Sequence, residues 1–519
     1  MLRRPGRLIA AFLLLIILIL PTACPPSTSL AAPDLYAAVL PDLRDSVEQQ
    51  TKGELSTYTL DVRFDPVAST IGGRERLTFV NRFDEPLADV AFRLYPNAFY
   101  YEEGGTTIDD VRVAGESATG SLEVGETVLR VPLAEPVEPG ESVKLSFRFQ
   151  TVIPTDSRGT FGIFSHDTGH GTWILADWYP IVAGYEPESG WRLDVPTELG
   201  DPTFSDAALY DVSIAAPSGY AVIGTGSVVE IDDAGDETTR RFTSGPVREL
   251  TLVADEDYEA TSTTVDGTTV TVFVNPDSNT AEGARIALET AASALRAYSE
   301  RYGPYPYEEL DLVETDLSSS VLAVAWSGLI FLEGPNFLAS PVFAGEDSSR
   351  LEFTVAHEVG HQWWGSLIGT NSNDHTFMNE GVTNALATVY VEDTQGKEAA
   401  RRQIQIQLAD RYLAALDSVG DGIVDLPISV PREGPSSGVL DYGKAALGFL
   451  AIRQEIGDDA FFAALSDYAE RFTYDNATPD DLRTAFERAS GSDLQELWRF
   501  WFNAAETTRA DVEQVLAGV

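Results

Sequence analysis

The sequence predicts a chain of more than one domain, in which an all-β, sandwich-like domain precedes an α+β domain that is mostly helical. At 519 residues the chain exceeds the ~250–300 residues at which a single hydrophobic core usually stops growing. Apolar residues recur with a period of two over much of 55–258, and with a helical period over much of 259–519. The apolar and charged fractions of the chain are those of a globular protein.

The β domain is predicted from its alternating runs and from the turns between them. Apolar residues alternate with polar ones over 58–64 and over 143–149. Gly72-Gly73, Pro139-Gly140 and Pro217-Ser218-Gly219 predict turns between such strands.

The pattern changes after this region. We expect a strand over 264–274, a helix over 281–301 that ends at Gly303-Pro304, and strands over 310–314 and 327–332. From Ser349 onward the pattern is mostly helical, with further helices predicted over 397–417, 441–456, 459–471, 478–489 and 493–503.

The N-terminus has the three parts of an export signal. Arg3, Arg4 and Arg7 form a positive segment, residues 8–20 are apolar, and Pro21-Thr22-Ala23 is a small-residue exit. Thirteen apolar residues are fewer than the ~20 that a membrane-spanning helix needs. We therefore expect residues 1–23 to be removed and the protein to be exported.

The single cysteine, Cys24, follows this signal directly. The pattern resembles a bacterial lipobox, which implies that Cys24 is lipidated and becomes the mature N-terminus. Residues 24–54 would then form a tether and leader segment. Simple secretion without a lipid remains the alternative.

The charge excludes some classes of partner. Removal of the three N-terminal arginines leaves 32 Lys and Arg against 81 Asp and Glu, a formal charge of −49. Nucleic acid and anionic membranes would be repelled, so a membrane is expected as a partner through a lipid on Cys24 alone.

The stretch HEVGHQWWG, residues 357–365, carries the clearest chemical signal. A helix is predicted over 351–368, capped by Ser348 or Ser349 and stopped by Gly369. Residues four apart share a helix face, so His357 and His361 can offer two imidazoles to one metal ion. Glu358 would face the same open position, where it can take a proton from metal-activated water.

A catalytic zinc needs a third protein ligand and one open position. Glu380, in Asn379-Glu380-Gly381, lies nineteen residues after His361 and begins a second predicted helix that continues over 383–391. Two histidines and a glutamate are typical of a catalytic zinc site, whereas a structural site favours cysteines. The alternative is two hydrogen-bonded histidines on a half-buried helix.

These residues resemble the gluzincin metallopeptidases of the aminopeptidase N family. Residues 298–307 (YSERYGPYPY), 442–446 (YGKAA) and 491–501 also agree with that family, so the resemblance covers roughly 55–503. It implies a saddle-like β domain before a thermolysin-like catalytic domain, and it implies the absence of the large C-terminal helical domain of longer members. It also implies one Zn²⁺ per chain on His357, His361 and Glu380, with Glu358 as general base and Tyr442 as donor to the oxyanion.

One stretch departs from the family pattern. In the family, a segment before the zinc helix places a glutamate on the free α-amine of the substrate, and here Ala325 occupies that place. An ammonium group without a carboxylate loses a charge-assisted hydrogen bond. We therefore expect altered recognition of the peptide N-terminus, unless Asp177, Glu186 or Glu333 substitutes.

The other histidines receive different interpretations. His166 and His170 share the four-residue spacing, but Thr168 and Gly169 favour a loop over a metal site. His375 is expected in a loop or beside the site rather than as a ligand.

The predicted function is an exported zinc peptidase that acts on peptide substrates. A non-catalytic surface binding lipoprotein that retains the fold is the alternative. Side-chain preference and oligomeric state do not follow from the sequence.

Overall fold

The structure, a computed structural model, describes residues 33–157, 159–187, 189–198, 203–276, 279–317, 321–340, 342 and 348–518. Contacts divide the chain into two units, Met1–Pro33 and Asp34–Val519, and the second is described below. The predicted signal over 1–23 and Cys24 lie outside the described residues.

Short and long β-strands occupy the first half of this unit. In chain order they are β1 (Ser56–Asp65), β2 (Thr70–Val80), β3 (Leu87–Arg93), β4 (Gly105–Val113), β5 (Glu116–Ser117), β6 (Ser121–Glu123), β7 (Val128–Val137), β8 (Ser142–Val152), β9 (Phe164–His166), β10 (Trp173–Leu175), β11 (Ile181–Val182), β12 (Tyr185–Glu186), β13 (Gly190–Trp191), β14 (Ala208–Pro217), β15 (Ala221–Gly224), β16 (Ser227–Asp233), β17 (Glu237–Val247) and β18 (Leu252–Asp255).

Three sheets organise most of these strands. The largest has the order β16-β17-β14-β1-β2-β8-β4-β5, and two four-stranded sheets have the orders β15-β18-β10-β9 and β11-β3-β7-β6. β1 is parallel to β14 and antiparallel to β2, so the large sheet is mixed. Its strands alternate buried and exposed residues, as the period of two predicts.

The turn predicted at Gly72-Gly73 is wrong, because both glycines lie inside β2. A Cβ atom on Gly73 would lie 2.0 Å from the carbonyl oxygen of Asp61, and one on Gly72 would lie 2.5 Å from that of Phe149. Neighbouring strands therefore approach too closely here for a side chain, which is a second reason for glycine within a strand. Gly140, in contrast, has a φ of +78° and lies in the predicted turn.

The second half combines one sheet with many helices. Its strands are β19 (Glu259–Val265), β20 (Thr268–Val274), β21 (Glu309–Thr315), β22 (Ala323–Trp326) and β23 (Leu329–Glu333). The α-helices of the whole unit are α1 (Pro41–Thr51), α2 (Ala281–Tyr302), α3 (Ser349–Gly360), α4 (Ser372–His375), α5 (Glu380–Gln395), α6 (Lys397–Gln403), α7 (Asp410–Val419), α8 (Ser437–Val439), α9 (Ala445–Ile456), α10 (Asp458–Phe472), α11 (Pro479–Ser490), α12 (Gln495–Trp498) and α13 (Arg509–Gly518).

The five strands form one sheet with the order β19-β20-β21-β23-β22, which leaves β22 at an edge. β21 is parallel to both β20 and β23, while β22 is antiparallel to β23. The predicted order of an all-β region followed by a mostly helical α+β region is confirmed.

Two strand predictions are wrong in their bounds. The single strand expected over 264–274 is a hairpin, because Asp266 and Gly267 have φ values of +50° and +98° and turn the chain between β19 and β20. The strand expected over 327–332 begins later, since Gly328 has a φ of +72° and lies in the turn from β22 to β23.

The later helices lie close to their predicted positions, with π-helical turns where the pattern predicted regular helix. The 397–417 segment contains the π-helical turn Ile404–Ala409, and the 441–456 segment begins with another, Leu440–Lys444. Among the residues that the structure describes, no helix has both the length and the hydrophobicity needed to cross a membrane.

Part of the expected leader segment is ordered against the second half of the unit. α1 lies within residues 24–54, Val39 forms a β-bridge with Tyr307, and Leu40 N–H donates to the carbonyl oxygen of Pro306. Apolar residues of the β region and of the helices belong to one buried cluster. The two regions therefore share a core.

One buried carboxyl group in the β region is unusual. Glu75 lies in β2 with 0% of its surface exposed, and neither carboxylate oxygen has a hydrogen-bond partner among the described residues. Burial raises the pKa of Glu75 well above its ordinary value, because a charge there would be poorly solvated.

We expect Glu75→Gln to reduce the loss of stability that accompanies rising pH. In the unfolded chain Glu75 ionises near its ordinary pKa, whereas in the folded protein it stays protonated to a higher pH. Its contribution is therefore fully present below the unfolded pKa and falls by up to about 1.4 kcal/mol per pH unit above it. Thermal unfolding at pH 5 and pH 8 measures this, and the Tm of the variant relative to wild type should rise with pH. An equal Tm difference at both values would contradict the assignment.

Candidate metal centre

The helix α3 presents HEVGH toward a cleft. Its apolar residues Leu351, Val355 and Val359 are fully buried, which fixes the rotation of the helix. The hydroxyl of Tyr298 on α2 donates to the carbonyl oxygen of Ala356 at 3.0 Å, and this bond further fixes the rotation of α3.

The predicted helix over 351–368 is wrong at its C-terminal end, because α3 stops at Gly360 and His361 is its C-cap. Gly365, with a φ of +123°, turns the chain away from the helix axis. Two wider turns span Gly365: Ser366 N–H donates to His361 O, and Ile368 N–H donates to Trp363 O. His361 nevertheless remains one helical turn from His357.

The helix α5 begins at Glu380 and brings its carboxylate against the two histidines. The two helices approach closely, since a Cβ atom on Gly360 would lie 3.4 Å from Cγ2 of Thr383. A Cβ atom would just fit here, whereas a side chain larger than that of alanine would press against Thr383 on α5.

Three side-chain atoms converge at this point. His357 Nε2 and His361 Nε2 lie 3.0 Å apart, and Glu380 Oε2 lies 3.1 Å from the first and 3.4 Å from the second. Atoms bonded to one tetrahedral zinc at 2.0–2.1 Å lie about 3.3 Å from one another. Of the described residues, these three form the group of histidine, cysteine and acidic side chains that could hold a metal ion. The group fits one zinc ion per chain.

The groups around these three side-chain atoms favour binding of a cation. His361 Nδ1 lies 3.0 Å from the carbonyl oxygen of Trp364, which holds the proton on Nδ1 and leaves the Nε2 lone pair free. Burial alone would lower the pKa of His361, but the Glu380 carboxylate raises it to about 9. The pKa of Glu380 is correspondingly held far below its ordinary value, against the effect of burial, by the two histidines. A positive charge at this point is therefore strongly favoured.

Glu358 and Tyr442 lie beside the predicted ligands. Glu358 is buried on α3, and its burial raises its pKa although the two histidines oppose the shift. Tyr442 lies in the π-helical turn Leu440–Lys444, with its ring centroid 6.1 Å from that of His357. Asn384, one turn after Glu380 on α5, donates to the backbone oxygen of Tyr442 at 2.9 Å, a link that the sequence did not predict.

Lys444 stabilises the π-helical turn Leu440–Lys444 through its buried side chain. Its side chain is fully buried, and Nζ donates to Asp421 Oδ2 at 2.9 Å, to Gly422 O at 2.8 Å and to Ala504 O at 2.7 Å. The lysine of the predicted Tyr-x-Lys pattern therefore fixes the backbone near Tyr442 rather than facing the cleft.

The cleft has a volume of about 450 Å³ and two different walls. One wall is the edge strand β22 with the preceding residues Val321 and Leu322, and Ala325 lies on it as expected. The helices α3 and α5 and the turn that carries Tyr442 form the other wall.

The β region closes one end of the cleft with Arg248 and Glu249, which the sequence reasoning missed. Arg248 is buried, and its guanidinium donates to the carbonyl oxygens of Ser366 and Asp475 and to Asn476 Oδ1 at 2.7–2.8 Å. It thus connects the β region to the turn after His361. A charged pair within an apolar run, here directly after β17, is the sequence pattern that could have indicated Arg248 and Glu249.

Glu249 faces the strand that carries Ala325. Its Oε1 accepts from the Ser327 N–H at 2.8 Å, two residues beyond Ala325. Burial raises the pKa of Glu249, although the hydrogen bonds from Ser327 and the charge of Arg248 lower it. Within the described part of the cleft wall, Glu249 is the carboxylate present besides Glu358 and Glu380.

The three acids expected as substitutes lie elsewhere. Asp177 accepts from the hydroxyl of Thr203, whose side chain lines the cleft, at 2.9 Å. Glu186 accepts from Asn371 Nδ2 at 3.2 Å, and Glu333 is buried at the end of β23.

The other histidines have local partners. His166, predicted in a loop, lies in the strand β9 and stacks on Trp173 with ring centroids 3.7 Å apart, so the loop prediction is wrong there. His170 lies in a turn with Nδ1 2.8 Å from Asp167 Oδ2. His375 ends the short helix α4, and its Nδ1 lies 2.6 Å from Asp425 Oδ1.

Comparison with known proteins identifies the second half of the chain. Residues 286–501 match the Peptidase family M1 domain. Aminopeptidase M1-A of Oryza sativa subsp. japonica is 25% identical over 309 residues, which cover 58% of this chain and 34% of the relative. Aminopeptidase N of Haemonchus contortus is 23% identical over 365 residues, 66% of this chain and 37% of the relative. The chain thus matches about a third of the length of these relatives.

Solved structures match over a larger share of the fold. The crystal structure of an M1 zinc metallopeptidase from Deinococcus radiodurans superposes with a TM-score of 0.62 at 19% identity, covering 88% of this chain and 94% of that one. A mutant of that protein bound to a Tyr-Ser-Ala substrate gives the same TM-score. The predicted resemblance to the aminopeptidase N family is confirmed for this part of the chain, since residues 286–501 match the Peptidase family M1 domain.

Proposed function

We propose that this chain hydrolyses peptide bonds as a zinc-dependent peptidase. The observation that carries the proposal is the convergence of His357, His361 and Glu380 beside Glu358 and Tyr442 in one open cleft. A structural zinc site would be closed by four protein ligands, whereas the described residues offer three here and face a cavity.

A zinc ion bound here would supply a Lewis acid that polarises the scissile carbonyl and activates water. Glu358 would accept a proton from the attacking water molecule while the oxygen of that water bonds to the carbonyl carbon. The same carboxyl group would then donate that proton to the departing amine nitrogen as the C–N bond breaks. Burial raises the pKa of Glu358, which makes its carboxylate a better proton acceptor than an exposed glutamate.

Tyr442 would stabilise the negative charge that develops on the carbonyl oxygen. A phenol donates a hydrogen bond without carrying a charge of its own. Its backbone is held by Asn384 and, through the same turn, by Lys444, so the ring is positioned before substrate arrives.

The edge strand β22 offers a binding surface for the peptide backbone. An extended peptide can pair with the free edge of a sheet through backbone hydrogen bonds, and the residues of β22 line the cleft. The substrate would then lie extended between β22 and α3.

Recognition of the peptide N-terminus would differ from the recognition expected of a site with a glutamate at position 325. The methyl group of Ala325 gives an ammonium no partner, while Glu249 lies nearby and is buried. The free α-amine would therefore contribute less to binding, and what it contributes would come from Glu249.

Export of the protein is part of the proposal. The charged, apolar and small-residue segments of 1–23 support a signal peptide, and their end at the single cysteine supports a lipid on Cys24.

The first prediction concerns metal binding. Glu380→Ala should sharply lower zinc content, because a site of three protein ligands has no spare donor. Elemental analysis of purified protein measures this. Glu398→Ala, which removes a 92% exposed carboxylate on α6, is the control and should keep one zinc per chain. Full zinc occupancy in Glu380→Ala would remove Glu380 from the site.

The second prediction separates chemistry from metal binding. Glu358→Gln and Tyr442→Phe should keep zinc yet lower kcat, the second by a factor of about a hundred to a thousand, as loss of one oxyanion donor does. Tyr36→Phe, a change far along the sequence from the cleft residues, is the control for loss of a hydroxyl. A wild-type kcat in Tyr442→Phe would show that another group holds the oxyanion. Bound zinc with no peptide turnover in wild type would favour the non-catalytic binding lipoprotein instead.

The third prediction concerns the free N-terminus. Wild type should cleave matched free and N-acetylated peptides with kcat/KM values closer together than those of Ala325→Glu, because an ammonium gains a partner in that variant. Ala323→Glu, two residues away on the same strand, controls for the added charge and should shift the ratio less. Glu249→Gln should lower the remaining preference for the free amine. An absolute requirement for a free amine in wild type would overturn the role given to Ala325.

The fourth prediction concerns the mature N-terminus. Protein purified from its native host should lack residues 1–23 and should begin with a lipidated Cys24. Intact-mass and peptide mass spectrometry measure both. An unmodified thiol at Cys24, or cleavage beyond it, would leave a secreted enzyme without a lipid anchor.

A further inference from the structure

A buried ion pair lies next to the residue that would hold the oxyanion. Arg432 Nη2 lies 3.6 Å from Asp441 Oδ2, and the two side chains are 7% and 1% exposed. Asp441 directly precedes Tyr442 in the π-helical turn Leu440–Lys444. Tyr442 lines the cleft, whereas Asp441 is buried beside it. The pair can therefore act on the position of Tyr442 but cannot touch a substrate.

Arg432 also holds the loop 420–436, which joins α7 to α8. Its Nη1 donates to the carbonyl oxygens of Ile423 and Val424 at 2.7 and 2.9 Å, and its Nη2 donates to that of Leu426 at 2.9 Å. A guanidinium has five N–H donors in a fixed plane, so one arginine can bind several carbonyl oxygens and a carboxylate together. Arg432 therefore fixes the loop against the π-helical turn.

The same loop forms part of the cleft wall. Ile428 lines the cavity with Tyr442, and its N–H donates to the carbonyl oxygen of Asn373 at 2.7 Å. Arg432 thus connects a residue that would contact the substrate with the residue that would hold the oxyanion.

The π-helical turn also lies against the first turn of α5, which carries Glu380. A Cβ atom on Gly381 would lie 2.7 Å from Cβ of Ala445 and 3.3 Å from the carbonyl oxygen of Asp441. Such turns are rare, and they occur frequently at functional sites. Lys444 stabilises the end of this turn, and the ion pair of Asp441 stabilises its beginning.

Burial makes the turn sensitive to the loss of either member of the pair. Burial raises the pKa of Asp441 to about 7, although the charge of Arg432 and a hydrogen bond with Ser437 lower it. Removal of one partner would leave the other charge buried and uncompensated, which is more costly than removal of both. A shift of the turn that relieved this cost would move Tyr442 with it.

We propose that Arg432 and Asp441 are positioning residues that hold Tyr442 where its hydroxyl can donate to the oxyanion. This inference rests on the proposed peptidase function. The pair acts through the backbone of the π-helical turn and through the loop 420–436. Because the oxyanion develops in the transition state, the pair should affect the chemical step more than substrate binding.

A double-mutant cycle with Tyr442→Phe tests whether the pair acts through the Tyr442 hydroxyl. At pH 8, where most of Asp441 is ionised, Asp441→Asn should lower kcat by roughly a factor of ten to a hundred with little change in KM. In the Tyr442→Phe protein the same substitution should leave kcat nearly unchanged, since the hydroxyl that it positions is gone. Arg432→Gln should give the same pattern. A wild-type kcat in Asp441→Asn, or an equal loss in both backgrounds, would overturn the proposal.

Arg453→Gln is the matched control, because it breaks a comparable pair away from the cleft. The Arg453 side chain is 14% exposed, and its Nη1 lies 2.7 Å from Oε2 of Glu392, near the end of α5 opposite Glu380. This variant should keep the wild-type kcat, and a loss as large as that of Asp441→Asn would contradict a specific role. Zinc content and Tm are measured for every variant. Loss of zinc in Asp441→Asn would place its effect on Glu380 instead of Tyr442 and would also overturn the proposal.

A binding measurement separates this inference from the peptidase proposal. The probe is a phosphinic analogue of Leu-Ala-Ala, whose anionic oxygens stand in for the oxyanion, and its Kd for zinc-loaded protein is measured by calorimetry. Asp441→Asn should raise this Kd when Tyr442 is present and should leave it unchanged in the Tyr442→Phe protein. If wild type cleaves no peptide but this difference persists, the proposed function fails and the positioning role stands. If peptides are cleaved and Asp441→Asn acts equally in both backgrounds, the positioning role fails alone.

Discussion

The candidate metal site depends on three electron-pair donors: His357 Nε2, His361 Nε2 and Glu380 Oε2. The helix α3, with its C-cap, and the helix α5 bring them to within 3.0–3.4 Å of one another. Without a cation, two imidazole nitrogens and a carboxylate oxygen at that distance need a shared proton, and the raised pKa of His361 reflects this need. The close approach of α3 and α5 at Gly360 and the hydroxyl of Tyr298 beneath Ala356 hold the donors together. Much of the helical packing can be understood as support for this one point.

The β region takes part in the site rather than only flanking it. Arg248 carries a buried positive charge whose donors are used on carbonyl oxygens from the turn after His361 and from the segment between α10 and α11. Removal of one partner of such a buried group would leave a charge or several acceptors unsatisfied, which is costly in a dry interior. The same connection places Glu249 against the strand of Ala325. The end of the cleft is thus shaped by residues more than a hundred positions before the zinc-binding motif.

How far the sequence predicts this molecule depends on how local each feature is. HEVGH and the glutamate nineteen residues later are local patterns with a chemical reason, and the structure brings the three predicted side chains together. The end of α3 was misplaced because the apolar pattern continues beyond Gly360, where the chain forms turns instead of helix. Gly72 and Gly73 were misread since close contacts between strands, not a turn, require them. Arg248 and Glu249 gain their roles from contacts between distant segments, which no local pattern reveals.

The cleft therefore combines a metal-binding point with a buried carboxylate, Glu249, on its wall. The proposed peptidase function requires that hydrolysis depend on one zinc ion held by His357, His361 and Glu380. Metal-free protein titrated with zinc, with peptide cleavage followed at each addition, tests this most directly. We expect no cleavage without zinc, a linear rise of the cleavage rate with added zinc, and a plateau at one equivalent per chain. Cleavage by the metal-free protein, or none at one bound equivalent, would contradict it.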